Sequence, residues 1–131
     1  MYLEWNDQYS VQVKKFNAQH KDMLQIINAI HDELLGNNRR ETQIQLLDKL
    51  TLNTMNHFSD EEQALHEINY SEILDHMDEH LNLLQELHDL KTDYMNNRID
   101  ISEELVGFLA NWLIVHIEDM DKQYIPLMRD E

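Results

Sequence analysis

Four long stretches of this chain carry apolar residues every three or four positions, and almost nothing interrupts them. Met23, Leu24, Ile27, Ile30 and Leu34 form one stripe, and Ile44, Leu47, Thr51, Thr54, Phe58 and Leu65 a second. Ile73, Met77, Leu83, Leu84, Leu87 and Tyr94 form a third, and Leu105, Leu109, Trp112, Val115 and Met120 a fourth. That spacing lines one face of an α-helix. With only 2 Gly and 1 Pro in 131 residues, the chain has too few turn-makers for an all-β fold. The stripes predict helices over residues 17–35, 41–67, 71–96 and from 102 towards Tyr124. Gly36-Asn37-Asn38 reads as a C-cap and turn. Ser102 reads as an N-cap with Glu103 and Glu104 in the first turn.

Each helix would be roughly 30–40 Å long. Short connections make successive helices antiparallel, so the expected fold is all-α, an up-down-up-down four-helix bundle. The expected organisation is a single domain over residues 1–131, with an N-terminal arm (1–16) and the bundle over 17–128. Trp5, Tyr9, Val11, Val13 and Phe16 should pack the arm on the bundle, and Pro126 should kink or end the last helix.

Composition removes several function classes. The chain has no Cys, hence no disulfide, thiolate zinc site or iron–sulfur cluster. A net charge of −16 opposes nucleic acid and anionic membrane surfaces. The stretch FLANWLIV at 108–115 is far short of a membrane span. The N-terminus has neither the basic nor the apolar region of a signal peptide, so a soluble, monomeric, cytoplasmic protein is the expectation. Eight His stand out.

Placed on the bundle, His20 lies near the start of the first helix, and His57 and Glu61 near the end of the second. His76 and His80 lie near the start of the third helix, and His116 and Asp121 towards the end of the fourth. In antiparallel order those places share one end of the molecule. Residues four apart differ by about 40° around a helix, so His57 with Glu61, and His76 with His80, project from one face. His116 and Asp121 are about 140° apart on an ideal helix, so Asp121 must approach from the side of the core. The 40° offset also favours Glu61 over Asp60 as the partner of His57.

A single His on an apolar face is most often a hydrogen-bonded core residue, and a run such as SDEE at 59–62 is most often solvated surface. Five His and two carboxylates buried at one level without a cation would instead cost several kcal/mol or more. The pattern therefore predicts a metal centre. Zinc takes three or four ligands. Seven suit two metals bridged by the carboxylates, and with one solvent-derived bridge they leave one position of two octahedra open. An imidazole-rich, carboxylate-poor set suits iron better than magnesium or calcium. HMDEH at 76–80 also fits the H-x-x-E-H of one class of zinc peptidases. Glu79, however, lies about 60° from His76 and about 100° from His80 on the helical wheel, turned towards the rim.

The order of NAQH (17–20), HFSDE (57–61), HMDEH (76–80) and WLIVHIEDMD (112–121), with the arm EWNDQYSV (4–11), resembles the hemerythrin family over nearly the whole chain. The resemblance implies two iron ions with a bridging oxo or hydroxo group. His76, His80 and His116 would hold one iron. His20 and His57 would hold the other, which keeps the open position, and Glu61 and Asp121 would bridge. It further implies that Met23, Phe58, Trp112 and Leu113 line a pocket for dioxygen or another small diatomic or anionic ligand. Tyr124 matches a Tyr near the bridging Asp. Two positions depart from the family: Asn17 stands where Asp is common, with a consequence expected for the support of His20, and Gln12 stands where Gly is common.

His31 reads as a boundary residue, and His66 and His88 as surface. Met55, Met77, Met95, Met120 and Met128 read as adaptable core filler. The function expected is reversible oxygen binding for storage, transport or scavenging, without catalysis, with a protein acceptor of the oxygen as a further partner. An oxygen, redox or nitric oxide sensor acting through a partner protein is a second class, and a di-iron oxidase or reductase a third. A ferritin-like centre would need Glu-x-x-His pairs, which this chain lacks.

Overall fold

The computed structural model describes residues 2–36, 39–119 and 121–128. Four long helices carry the fold: α1 (Lys14–Leu35), α2 (Arg40–Glu67), α3 (Ile73–Met95) and α4 (Glu103–Asp119). A 3-10 turn (Asp7–Tyr9) precedes them, and a second (Asp121–Tyr124) leads into the short helix α5 (Ile125–Met128). No strand occurs among the described residues. The fold is the expected all-α four-helix bundle. Helix α1 packs closely on α2 and α4, and α2 on α3, whereas α3 and α4 stand further apart.

The helix ends explain how four helices manage with so few glycines. Beyond α2, Asn69 adopts φ 55°, Tyr70 N–H donates to Leu65 C=O at 3.0 Å, and Asn69 N–H donates to His66 C=O at 3.1 Å. Beyond α3, Asn97 adopts φ 61°, with Arg98 N–H on Asp93 C=O at 2.9 Å and Asn97 N–H on Tyr94 C=O at 3.1 Å. Both are Schellman caps in which Asn takes the left-handed position usually filled by Gly. Ser102 caps α4 as expected, its Oγ accepting from Leu105 N–H at 3.2 Å.

Several boundaries differ from expectation. The arm ends at Val13, because α1 already begins at Lys14 and takes in Phe16. The arm is held by two buried Asn clamps. Asn28 exchanges two 2.7 Å hydrogen bonds with the backbone of Leu3. Asn17 accepts from Val11 N–H at 2.9 Å and donates to Ser10 Oγ at 2.9 Å. Asn17 is thus turned to the arm, not to His20. Gln12 adopts φ 58°, which accounts for Gly being favoured there, since only Gly enters the left-handed region without strain. Pro126 does not break the last helix. The 3-10 turn Asp121–Tyr124 comes before it, and Pro126 sits in the first turn of α5, where its missing N–H is tolerated.

The core runs the length of the bundle, from Val11 and Phe16 through Met23, Ile27 and Leu47 to Tyr94 and Leu105. Met77 and Val115, expected in the stripes, are 41% and 43% exposed. Met55, Met77 and Met95 are surface residues and not core filler, because they fall on the outward faces of α2 and α3. His66 and His88 are exposed as expected. His31 is half-buried, stacked on Tyr2 with ring centroids 4.2 Å apart. Asn37, Asn38 and Met120 lie outside the described residues.

Candidate metal centre

The antiparallel order brings His20, His57, Glu61, His76, His80, His116 and Asp121 together, all of them buried. His20 reaches inward from α1, His57 and Glu61 from α2, His76 and His80 from α3, and His116 from α4. Asp121 could not reach from a continuous helix, where it would lie about 140° from His116. The α4 helix is described to Asp119, and Asp121 belongs to a tighter 3-10 turn that places it in the cluster. There its Oδ1 lies 3.0 Å from His116 Nε2.

The imidazoles all present Nε2, and each carboxylate divides its two oxygens between them. Glu61 Oε1 faces His76 Nε2 at 2.5 Å and His80 Nε2 at 2.9 Å, while Oε2 faces His57 Nε2 at 3.3 Å. Asp121 Oδ1 faces His76 at 3.3 Å and His116 at 3.0 Å. Its Oδ2 faces His20 at 2.9 Å and His57 at 3.9 Å. The oxygens therefore sort the imidazoles into His76, His80 and His116 on one side and His20 and His57 on the other. By mutual separation of ligand atoms within 4.8 Å, His116 instead groups with His20, His57, Glu61 and Asp121, and His76 and His80 group with the two carboxylates, so His116 stands between the two sides.

These atoms converge on common points and satisfy one another only in part: His76 Nε2 and Glu61 Oε1 are hydrogen-bonded at 2.5 Å, but others are not. His80 Nε2, His116 Nε2 and both oxygens of Asp121 make no hydrogen bond, although each has a neighbour within 3.0 Å or less. His20 Nε2 and His57 Nε2 confront each other at 2.9 Å. Fully buried polar atoms without partners cost about 1–3 kcal/mol each, so an array of lone pairs aimed inward fits a cation.

The electrostatics agree. Burial raises Glu61, as does Asp121, but His57 and His76 outweigh them and hold its carboxyl well below the usual range. Burial likewise raises Asp121, and His116, His20 and His57 pull it well below. Burial opposes charge on His57, yet Glu61 and Asp121 push it up to about 9. The same opposition lifts His76 to about 10. At His20 burial wins and the imidazole is lowered. Two anions thus draw positive charge into the cluster, from the His57 and His76 imidazoles or from a cation in their place.

The far sides of the rings show residues that sequence reasoning missed. His57 Nδ1 meets Gln19 Oε1 at 2.5 Å, and Gln19 Nε2 donates to Asp60 Oδ2 at 2.8 Å, itself 3.4 Å from Lys15 Nζ. His80 Nδ1 meets Glu62 Oε2 at 2.9 Å. Such contacts put the proton on Nδ1 and leave the Nε2 lone pair facing in. The SDEE run is therefore only partly solvated surface: Asp60 and Glu62 serve the centre from outside while Glu61 enters it. The only signal was their place beside ligand positions, and most acids so placed do nothing. Tyr124 OH donates to Glu61 Oε2 at 3.0 Å; burial first, then Glu61 and Asp121, raise its pKa far above the ordinary value, so it stays a donor.

Of the four expected pocket residues, Phe58 stacks on His80 with centroids 3.8 Å apart and also contacts His116 and His57. Trp112 joins His116 in lining a groove between α3 and α4 and donates from Nε1 to Leu83 C=O at 3.3 Å. Met23 and Leu113 are buried in the core and do not line that groove. Glu79 stands on the groove's edge, away from the ligand atoms.

The family model described as "Hemerythrin HHE cation binding domain" matches residues 11–128. A bacteriohemerythrin of Methylococcus capsulatus is 30% identical over 110 residues, covering 84% of this chain and 83% of the relative. A bacteriohemerythrin of Pseudomonas paraeruginosa is 25% identical over 128 residues, 98% of this chain and 82% of the relative. A crystal structure of wild-type hemerythrin superposes with a TM-score of 0.88 at 25% identity, covering 96% of this chain and 97% of the other.

Proposed function

The chain belongs to the hemerythrin HHE cation-binding family, and on that premise we propose that it is a cytoplasmic, monomeric, non-haem di-iron protein that binds dioxygen reversibly for storage, transport or scavenging. The observation that carries this reading is the division of the carboxylate oxygens. Each of Glu61 and Asp121 offers one oxygen to the three-imidazole side and one to the two-imidazole side. Such a pair of carboxylates would hold two cations, and with His116 assigned to the His76–His80 side through Asp121 Oδ1 the His20–His57 side would be one ligand short.

When bound, a pair of ferrous ions supplies two electrons and an open coordination position to a small ligand. The protein's part is positional. His76, His80 and His116 would complete one ion, and His20 and His57 would hold the other. Gln19 and Glu62 fix the rings of His57 and His80, and Tyr124 fixes Glu61. Phe58 walls the centre off from water, and we assign Met23, Trp112 and Leu113 to the same apolar wall. Asp60 and Glu62 meet only the outer sides of the imidazoles, Asp60 through Gln19, and that arrangement favours binding over turnover.

The test is the iron content per chain together with the absorption spectrum of the reduced protein under argon, after oxygen is added and after purging. Two irons and a charge-transfer band that appears and disappears are expected. One zinc and no iron would sink the di-iron reading, and irreversible oxidation with peroxide release would favour an enzyme.

A further inference from the structure

Around the ring of four helices, α3 and α4 are the neighbours whose backbones do not pack closely. The gap is an open trench made of two cavities, ≈ 400 Å³ and ≈ 240 Å³, that meet at Phe108. One wall is the α3 face Glu79, Leu83, Glu86 and Leu90, and the other is the α4 face Leu105, Phe108, Trp112 and Val115. Both sets recur at helical spacing, so the trench follows the helix axes for about three turns, roughly 15 Å. Leu83, Leu105 and Trp112 are buried in its floor, while Phe108 and Val115 stand 44% and 43% exposed with no apolar partner above them.

Beside the uncharged Asn111 and Ser102, the charged residues of the rim are all acidic. Glu79, Glu86, Asp100 and Glu104 border the two cavities, and no Lys or Arg lines either one. The basic residues nearest in sequence are engaged elsewhere. Lys91 pairs with Asp48, Arg98 with Asp93, and Arg40 donates to the carbonyls that end α3. An apolar floor between unneutralised carboxylates matches an amphipathic helix with apolar anchors on one face and Lys or Arg along its flanks. A second copy of this chain, at −16, is repelled by the same rim.

We propose that the α3/α4 trench is the docking site for a basic amphipathic helix of a partner protein. Phe108 and Val115 would take its apolar anchors, and Glu86 and Glu104 its cations. His116 lines the upper end of the trench, so a docked helix would sit beside the candidate metal centre and cover the groove that reaches it. That last link alone rests on the di-iron reading.

The test uses the iron-loaded full chain and a synthetic, dye-labelled 18-residue peptide of Lys and Leu at amphipathic spacing. Anisotropy would measure affinity, and amide shift changes would map the contact. Binding with shifts confined to α3 and α4 is expected. The Glu86→Lys/Glu104→Lys pair should weaken it by about tenfold or more, and Phe108→Ser by about fivefold. The control pair Asp22→Lys/Asp32→Lys, exposed on α1, should change it by less than about threefold if the rim, and not net charge, is recognised. Circular dichroism would confirm that each variant folds. Equal loss in the control pair, shifts on another face, or no binding would overturn the proposal. Iron content and spectrum are read in the same samples, so a protein that binds the peptide but holds no iron would sink the di-iron reading alone.

Discussion

The two ends of the bundle are buried to the same degree and built on opposite terms. At one end Ile27, Ile30, Leu47, Leu50 and Leu87 fill the space. The buried polar pair there completes itself, Tyr94 OH donating to Gln43 Oε1 at 2.5 Å. At the other end five imidazoles and two carboxylates occupy the same depth of core, and several of their inward atoms have no hydrogen-bond partner. Apolar burial drives the first end at about 25 cal/mol per Å². The second end buries polar groups whose desolvation a bound cation would offset. The difference teaches that burial alone does not mark a functional region; what marks it is burial whose polar groups are left for something else to satisfy.

Metal removal should expose this difference most strongly. A ligand present at a thousandfold over its dissociation constant stabilises by about 4 kcal/mol. Chelation should therefore lower the melting midpoint. Hydrogen exchange should rise first in the last turn of α4 and over Asp121–Tyr124 while α2 near Leu47 stays protected. Equal loss of protection at both ends would break the comparison. From the aliphatic end, Leu47→Ala should cost about 2–5 kcal/mol in denaturant unfolding while metal content and spectrum stay as in the parent.

A smaller pair of changes sharpens the point. Tyr94→Phe and Tyr124→Phe each remove one hydrogen bond and should each cost about 1–2 kcal/mol. Only Tyr124→Phe, which frees Glu61 Oε2, should move the absorption band. A shift in both, or in neither, would mean that the two tyrosines do not divide as the two ends do. The smallest effect belongs to the arm. Gln12→Gly removes left-handed strain at φ 58° but adds chain entropy to the unfolded state. A net gain of a few tenths to about 1 kcal/mol is expected in thermal unfolding, and a loss would mean that the Gln12 side chain contributes more than its backbone costs.

Much of this was readable without coordinates because the helix is a periodic object. Spacing placed the apolar stripes, antiparallel order placed His20, His57, His76, His80 and His116 at one end, and the 40° offset separated Glu61 from Asp60. The unread parts depend on where one element stops or which way a side chain turns. Asp121 enters from a 3-10 turn that no turn-forming residue announces. Gln19 and Glu62 differ from neighbouring polar residues only in what they face. Asn17, a departure from Asp expected to bear on the support of His20, holds Val11 and Ser10. Met77 and Val115 matched a stripe by period but fell on its outer edge, where a rotation of some tens of degrees decides burial.

By itself, then, the sequence determined the helical bundle, the common depth of the seven candidate ligands and the chemical character of the centre, since periodicity and donor type are local properties of the chain. Tertiary structure alone decided which carboxylate oxygen faces which imidazole, which outer residues orient the rings, and that α3 and α4 part to leave an acidic trench. Those outcomes rest on angles and separations between elements distant in sequence. Their energies are settled only when the whole bundle packs.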